Sequence, residues 1–204
     1  MFGKRLFSGA DYQVLARNTL FQGFFKMVEY RVRHRLFGGG WSGEVRRELF
    51  ERGHAVGVLP WEPRCDRIAL VEQFRVGALS DPESPWQLEL VAGMVEDGES
   101  PEVVAHRELA EEAGITSAEL VPLCDYLVSP GGSDERMTLF CALADLDGVG
   151  GIHGLAEEHE DIRVHLFDRS EALAGLEAGL CNNAPLIIAL QWLALHHERL
   201  ARGS

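Results

Sequence analysis

The sequence predicts an α+β fold, an α/β/α sandwich rather than a regular βαβ array. Three observations carry this reading. Apolar and β-branched runs divided by turn residues fill the first half of the chain. Only three segments combine helical spacing with helix-start signals. Many strands with so few helices do not make a repeating strand–helix pattern.

In chain order, strands are expected at Tyr12–Arg17, Phe24–Leu36, Gly43–Leu49, Ala55–Pro60 and Arg67–Arg75. Phe37–Gly40 (FGGG) reads as the hairpin turn joining the second and third, and Glu62–Asp66 (EPRCD) as the turn between the fourth and fifth. Further strands are expected at Trp86–Leu90, Ala118–Leu127, Met137–Leu143 and Ile162–Phe167. The first helix has Ser100 as its N-cap, Pro101 at its first position and Gly114 as its stop. A second helix runs from Ser170 to near Gly179. A third starts around Pro185 and carries Leu186, Leu190, Leu193 and His197 at helical spacing. Residues 1–49 read as a separate β-rich extension ahead of residues 50–204. A hairpin as long as Phe24–Leu49 is marginal alone and must pack on its own subunit or on a partner.

Composition bounds the function. At 204 residues, 46% hydrophobic, the chain can bury a sizeable core. No run approaches the ~20 apolar residues of a membrane helix, and Met1–Ala10 is too short and polar for a secretory h-region. Cys65, Cys124, Cys141 and Cys181 form no C-x-x-C pair, so a cytoplasmic protein with reduced thiols is expected. The formal net charge of −13 argues against a general nucleic-acid binder. That charge is uneven. Residues 1–52 hold ten Lys and Arg against five acids, whereas residues 89–112 hold eight acids and one Arg.

The chemistry concentrates in Gly93–Ile115, GMVEDGESPEVVAHRELAEEAGI. Glu108, Glu111 and Glu112 share one helix face within a turn. Like charges at that spacing destabilise an isolated helix, and a hard divalent cation with oxygen ligands would offset the cost. A solvated acidic face is the plain alternative. Arg107, four residues before Glu111, could pair with it. Gly93 and Gly98 read as punctuation of a loop ahead of the helix, where a backbone carbonyl such as that of Ala92 could add a metal ligand. Written as a pattern the segment is G-x5-E-x7-R-E-L-x-E-E-x-G-I. It resembles the Nudix box at Gly93, Glu99, Arg107, Glu108, Leu109, Glu111, Glu112, Gly114 and Ile115.

The Nudix resemblance implies a mixed β-sheet between helices and metal-dependent hydrolysis of a nucleoside diphosphate linked to another group. Fold and class do not fix the substrate. Outside the box, LFQGFF (20–25), RVRHRLF (31–37), EVRRELFERG (44–53), GIHGL (151–155) and DIRVH (161–165) resemble the bacterial ADP-ribose pyrophosphatase branch. So does Pro130, fifteen residues past the box in Ser129-Pro130-Gly131-Gly132, although Pro-Gly is also a common turn dipeptide.

That branch implies the following roles. Glu108, Glu111, Glu112 and the Ala92 carbonyl hold Mg2+, or possibly Mn2+, with Glu160 as a further metal-associated carboxylate. Glu158, in the second acidic stretch Glu157–Asp161, is the general base. Arg47 and Arg75 contact the diphosphate and its neighbours, where guanidinium forks suit phosphate oxygens. Phe24 packs on adenine, or else is a core residue with Phe25 on the opposite face of a strand. Glu89, Ser129 and Pro130 complete the ligand surroundings. The resemblance also implies a homodimer, domain-swapped through residues 1–49. Other nucleotide-sugar diphosphates, dinucleotide polyphosphates and a catalytically silent nucleotide sensor remain the alternatives. His196-His197 reads as a helix-end or exposed pair, and Trp192 as a core residue.

Overall fold

A computed structural model describes residues 5–155, 157 and 159–201. The chain forms two compact units: residues up to Gly53 together with Leu127–Glu135, and the remainder from His54. No helix among the described residues is long and apolar enough to cross a membrane.

The first unit is built on an antiparallel meander of β1 (Tyr12–Gln22), β2 (Lys26–His34) and β3 (Val45–Glu51). Strand β1 runs past the expected Arg17 because its ladder with β2 continues to the Gln22–Lys26 pair. The chain reverses at Gly23–Phe25, so the strand expected from Phe24 starts at Lys26. The FGGG segment does reverse the chain between β2 and β3, with the Gly39 N–H bonded to the Leu36 carbonyl and an Arg35–Trp41 bridge beside it. Strand β1 is exposed along nearly its whole length. The segment Leu127–Glu135 is stitched to β3: the Phe50 N–H donates to the Gly132 carbonyl at 2.8 Å, and the Arg52 N–H to Asp134 Oδ1 at 3.4 Å.

The second unit is the expected sandwich. Its sheet contains β4 (Ala55–Glu62), β5 (Arg67–Phe74), β6 (Trp86–Glu89), β7 (Val91–Met94), β8 (Glu119–Leu127), β9 (Arg136–Leu143), β10 (Gly151–His153) and β11 (Ile162–Asp168). The order is β10-β11-β5-β4-β9-β8. Strands β4 and β9 are parallel and the other registered pairs antiparallel, so the sheet is mixed. Strands β4 and β5 pair only beside their turn; beyond it they part, β7 pairing with β4 and β6 with β5.

Period-two alternation sorts the core. Val56, Val58, Ala69, Val71 and Val164 face a helix α1 (Pro101–Ala113) through Val104, Ala105 and Leu109. Leu59, Trp61, Ile68 and Leu70 pack instead with Ala172 of α2 (Arg169–Glu177) and with Leu186, Leu190 and Leu193 of α3 (Ala184–Ala201). Strand β4 is therefore buried on both faces. Trp192 packs against this second cluster and stacks on His196 at 4.4 Å. The His196 and His197 rings each bond a backbone carbonyl of their own helix.

Two short strands stand where no strand is expected, β7 and β10. Gly93 thus lies in a strand, not in a loop.

Candidate active site

Helix α1 begins and ends as its sequence dictates. The Ser100 hydroxyl accepts the Val103 N–H at 3.4 Å, and Gly114 stops the helix in the left-handed region at φ 68°. Its apolar stripe fixes its roll on the sheet, and that roll carries Glu108 and Glu112 into burial, with Glu111 half exposed at the edge.

Strand β7 runs against this face. The Ala92 N–H donates to Glu112 Oε2 at 2.9 Å. At Gly93, an added Cβ would stand 1.6 Å from Glu108 Oε1. A side chain there would need the space that the glutamate occupies. Gly98 does serve a turn, at φ 89°.

Arg107 gathers the remaining acids. Its guanidinium donates to Glu108 Oε1 at 2.7 Å, Glu111 Oε2 at 3.3 Å, Glu99 Oε2 at 3.5 Å and the Met94 carbonyl at 3.3 Å. Glu99 Oε2 also accepts the Glu96 N–H at 3.1 Å, closing the turn before the helix. Glu112 stands apart: among the described residues its one hydrogen-bond donor is a backbone amide. Burial pushes its carboxyl up to about 8. Glu108 and Glu160 add to this, while the Ala92 N–H and Arg75 oppose it. Glu108 is also raised by burial against the pull of Arg107, with Glu111 and Glu160 adding. The site is a buried cluster of carboxyl groups with too little cation to balance their ionised forms.

The family model described as the NUDIX domain matches residues 51–189. The chain belongs to the Nudix family. The ADP-ribose pyrophosphatase of Escherichia coli strain K12 is 50% identical over 199 residues, covering 98% of this chain and 93% of that protein. That of Haemophilus influenzae is 47% identical over 200 residues, covering 97% and 92%. A GDP-mannose pyrophosphatase of Escherichia coli O1:K1 / APEC is 31% identical over 160 residues, covering 76% of this chain and 83% of that protein.

Nudix enzymes use a divalent metal. The donor set fits such an ion: clustered carboxylates, one of them so buried and uncompensated that its anion is disfavoured until a cation arrives. A second acidic group sits elsewhere in the same unit. Glu62, Asp145 and Asp147 bring one ligand oxygen each within 4.8 Å of one another, a spacing that could hold a metal ion. Arg64 already bridges Glu62 and Asp145 at 3.2 and 3.1 Å, and Arg67 bridges Glu62 and Asp147 at 2.7 and 2.9 Å.

The other sequence-derived Nudix site residues fall into both units. In the second, Glu160 Oε2 accepts the Leu155 N–H at 3.2 Å, and Glu158 lies outside the described residues. Arg75 pairs with Glu89 at 2.8 Å, at the rim of a cleft of about 380 Å³ that Gln87, Asp81 and Asn182 also line. In the first unit, Phe24 is 88% exposed and is not a core residue. It does not alternate with Phe25 across a strand either, because both lie in the β1–β2 reversal, where their rings meet edge to face at 4.8 Å. Phe25 meets Phe50 at 5.2 Å, and Phe50 in turn bonds Gly132 through the backbone. The Ser129 carbonyl accepts the Gly132 and Ser133 amides, which makes the turn holding Pro130. Arg47 is exposed and bonds only the Arg46 carbonyl among the described residues.

Sequence reading missed Arg52 and Glu135. Their ion pair at 3.3 Å sits beside Phe25, over which the Arg52 guanidinium lies at 5.4 Å; Arg52 Nε is buried without a partner among the described residues. No local pattern joins two residues so far apart. The signal available was the EVRRELFERG segment taken as a whole.

Proposed function

We propose that this chain hydrolyses the diphosphate bond of ADP-ribose to AMP and ribose 5-phosphate, with Mg2+ or Mn2+ as its metal. The observation that carries the reading is half identity along nearly the whole chain to ADP-ribose pyrophosphatases, joined to an intact box helix. The GDP-mannose relative matches a smaller share of the chain at lower identity.

In this reading Glu108, Glu111, Glu112, the Ala92 carbonyl and Glu160 would hold the ion, which when bound neutralises the diphosphate and stabilises charge developing at phosphorus. Arg107 orients Glu108 and Glu111 by bonding both, so their free oxygens are presented without rotamer loss. Arg75 would bind a phosphate oxygen with its remaining donors, its Nε and Nη2 being held by Glu89. Arg47 would do the same, and the exposed ring of Phe24 offers a flat face to adenine. Ser129 and Pro130 would shape the ligand's surroundings. Glu158 would take the proton from the attacking water. The chain would act as a homodimer joined through its N-terminal unit.

The test is AMP release from ADP-ribose with Mg2+ and with EDTA, run beside GDP-mannose and a dinucleotide polyphosphate, in ¹⁸O water. Metal-dependent AMP release fastest from ADP-ribose is expected. Faster turnover of another diphosphate would move the specificity, and no turnover of any would leave a nucleotide sensor. A monomer in light scattering would remove the homodimer.

A further inference from the structure

The box helix and the second acidic stretch meet at one aromatic contact. His153 ends β10 and pairs in register with Ile162, the first residue of β11. Its ring Nε2 lies 2.9 Å from the Gly150 carbonyl. The ring rests on Gly114, where an added Cβ would come 3.1 Å from His153 Cε1. The glycine that stops α1 thus meets two demands, a positive φ and a bare surface for a ring.

The next residues close a neck. Gly154 sits at φ 101°, and a Cβ there would lie 2.7 Å from Glu160 Cβ and 3.1 Å from the Glu160 carbonyl oxygen. Leu155 and Glu160 then bond each other twice. The Glu160 N–H donates to the Leu155 carbonyl at 3.2 Å, and the Leu155 N–H to Glu160 Oε2 at 3.2 Å. The neck therefore holds its own shape, and the β10–β11 pair carries it on the sheet. The His153 ring on the end of α1 adds a tie to the box helix itself.

We infer that His153 is a positioning residue: its ring docks the closed neck at Leu155 and Glu160 onto the C-terminal stop of the box helix, fixing Glu160 relative to Glu108 and Glu112. This rests on the reading of the second acidic stretch as part of the active site. Loss of the ring leaves the neck's two bonds and the box intact, so placement should suffer more than folding or substrate capture. Misplacement of reacting groups by about 1 Å can cost on the order of 100-fold in rate.

The experiment measures kcat, KM and Tm for His153→Ala, His153→Leu and His153→Gln beside the wild type. His153→Ala should lower kcat roughly 10- to 100-fold, with KM and Tm near wild type. Leucine fills space without a donor and should behave like alanine. Glutamine keeps a donor for the Gly150 carbonyl and should recover part of kcat. Gly114→Ala should cost less in the His153→Ala background than alone, since the ring it would strike is gone. Unchanged kcat in His153→Ala would overturn the inference, as would equal losses in kcat, KM and Tm without recovery by glutamine. Glu158→Gln and Glu160→Gln separate the two layers. If both turn over normally, the loop reading fails. If either is crippled while His153→Ala is not, only the docking role fails.

Discussion

Two carboxylate clusters stand in the same unit of this protein, and they are opposites. Glu62, Asp145 and Asp147 converge closely enough to hold a metal ion, yet Arg64 and Arg67 each bridge two of them. On the box helix a single guanidinium, Arg107, serves Glu99, Glu108 and Glu111, and among the described residues Glu112 receives only a backbone amide. Burial alone does not separate the clusters, since Glu62 is as deeply buried as Glu112. The difference is compensation. Glu62 shares its two oxygens between two arginines, while the Glu112 carboxyl is pushed up to about 8. On the proposed reading, the metal site is the cluster whose charge the protein leaves unmet, not the one whose carboxylates merely sit close together.

The sharpest way to break this comparison is to exchange a carboxylate for its amide in each cluster. Glu112→Gln should lower kcat by about two orders of magnitude or more and weaken Mn2+ binding, with the fold retained. Glu62→Gln should leave both quantities at wild-type values and lower Tm, because Arg64 and Arg67 lose a buried anion. Steady-state kinetics and Mn2+ titration followed by electron paramagnetic resonance read both variants. Mn2+ binding lost in Glu62→Gln but kept in Glu112→Gln would invert the assignment.

The next effect is on stability without metal. In the unfolded chain the Glu112 carboxyl titrates near 4.5, and in the fold near 8. Between those values the unfolded chain has released a proton that the folded chain retains, so raising the pH favours unfolding. In EDTA, stability should therefore fall from pH 5 to pH 8.5, on the order of a few kcal/mol from this group. Glu112→Gln should flatten that slope. Added Mg2+ should stabilise more at pH 8.5 than at pH 5, because binding must displace the proton. Thermal unfolding at the two pH values, with and without metal, checks the sign. A wild-type slope that rises with pH in EDTA would show that Glu112 is not the dominant titrating group.

How much of this was legible depended on whether the cause was local. The box helix was read with its cap, its proline and its glycine stop because each signal lies within a turn of the feature it controls. Arg107–Glu111 was visible at four-residue spacing, whereas the reach of Arg107 to Glu99 and to the Met94 carbonyl needed the fold. Gly93 carries no local sign of its place in a strand, because the group it avoids, Glu108, belongs to another element. Phe24 looked like half of an alternating strand pair. The β1–β2 reversal takes in Gly23, Phe24 and Phe25, and a lone glycine beside two phenylalanines is a weak turn signal. The Glu62 cluster and the Arg52–Glu135 pair join residues distant in sequence, which only the sheet topology brings together.

Gly93 supplies the smallest test that still discriminates the two clusters. Its alanine variant would place a methyl where Glu108 now lies, 1.6 Å from Oε1, so the glutamate must swing away or β7 must retreat from α1. Either movement disturbs the carboxylates that the box presents and leaves Arg64 and Arg67 on the second cluster untouched. Overpacking of this kind costs about 1–3 kcal/mol, which a domain of this size should survive. Gly93→Ala is therefore expected to fold with a lowered Tm and with weakened Mn2+ binding, its kcat falling less than in Glu112→Gln because every ligand is still present. Gly57 is the control. A Cβ there would stand 2.8 Å from Leu139 Cδ2 and 3.2 Å from Leu90 Cδ1, both in the apolar cluster on the α3 face of the sheet and not the α1 face. Gly57→Ala should therefore lower Tm with Mn2+ affinity unchanged. If the two variants lose stability alike and bind Mn2+ alike, Gly93 is a packing glycine, and the close fit of β7 to Glu108 contributes nothing to the metal site.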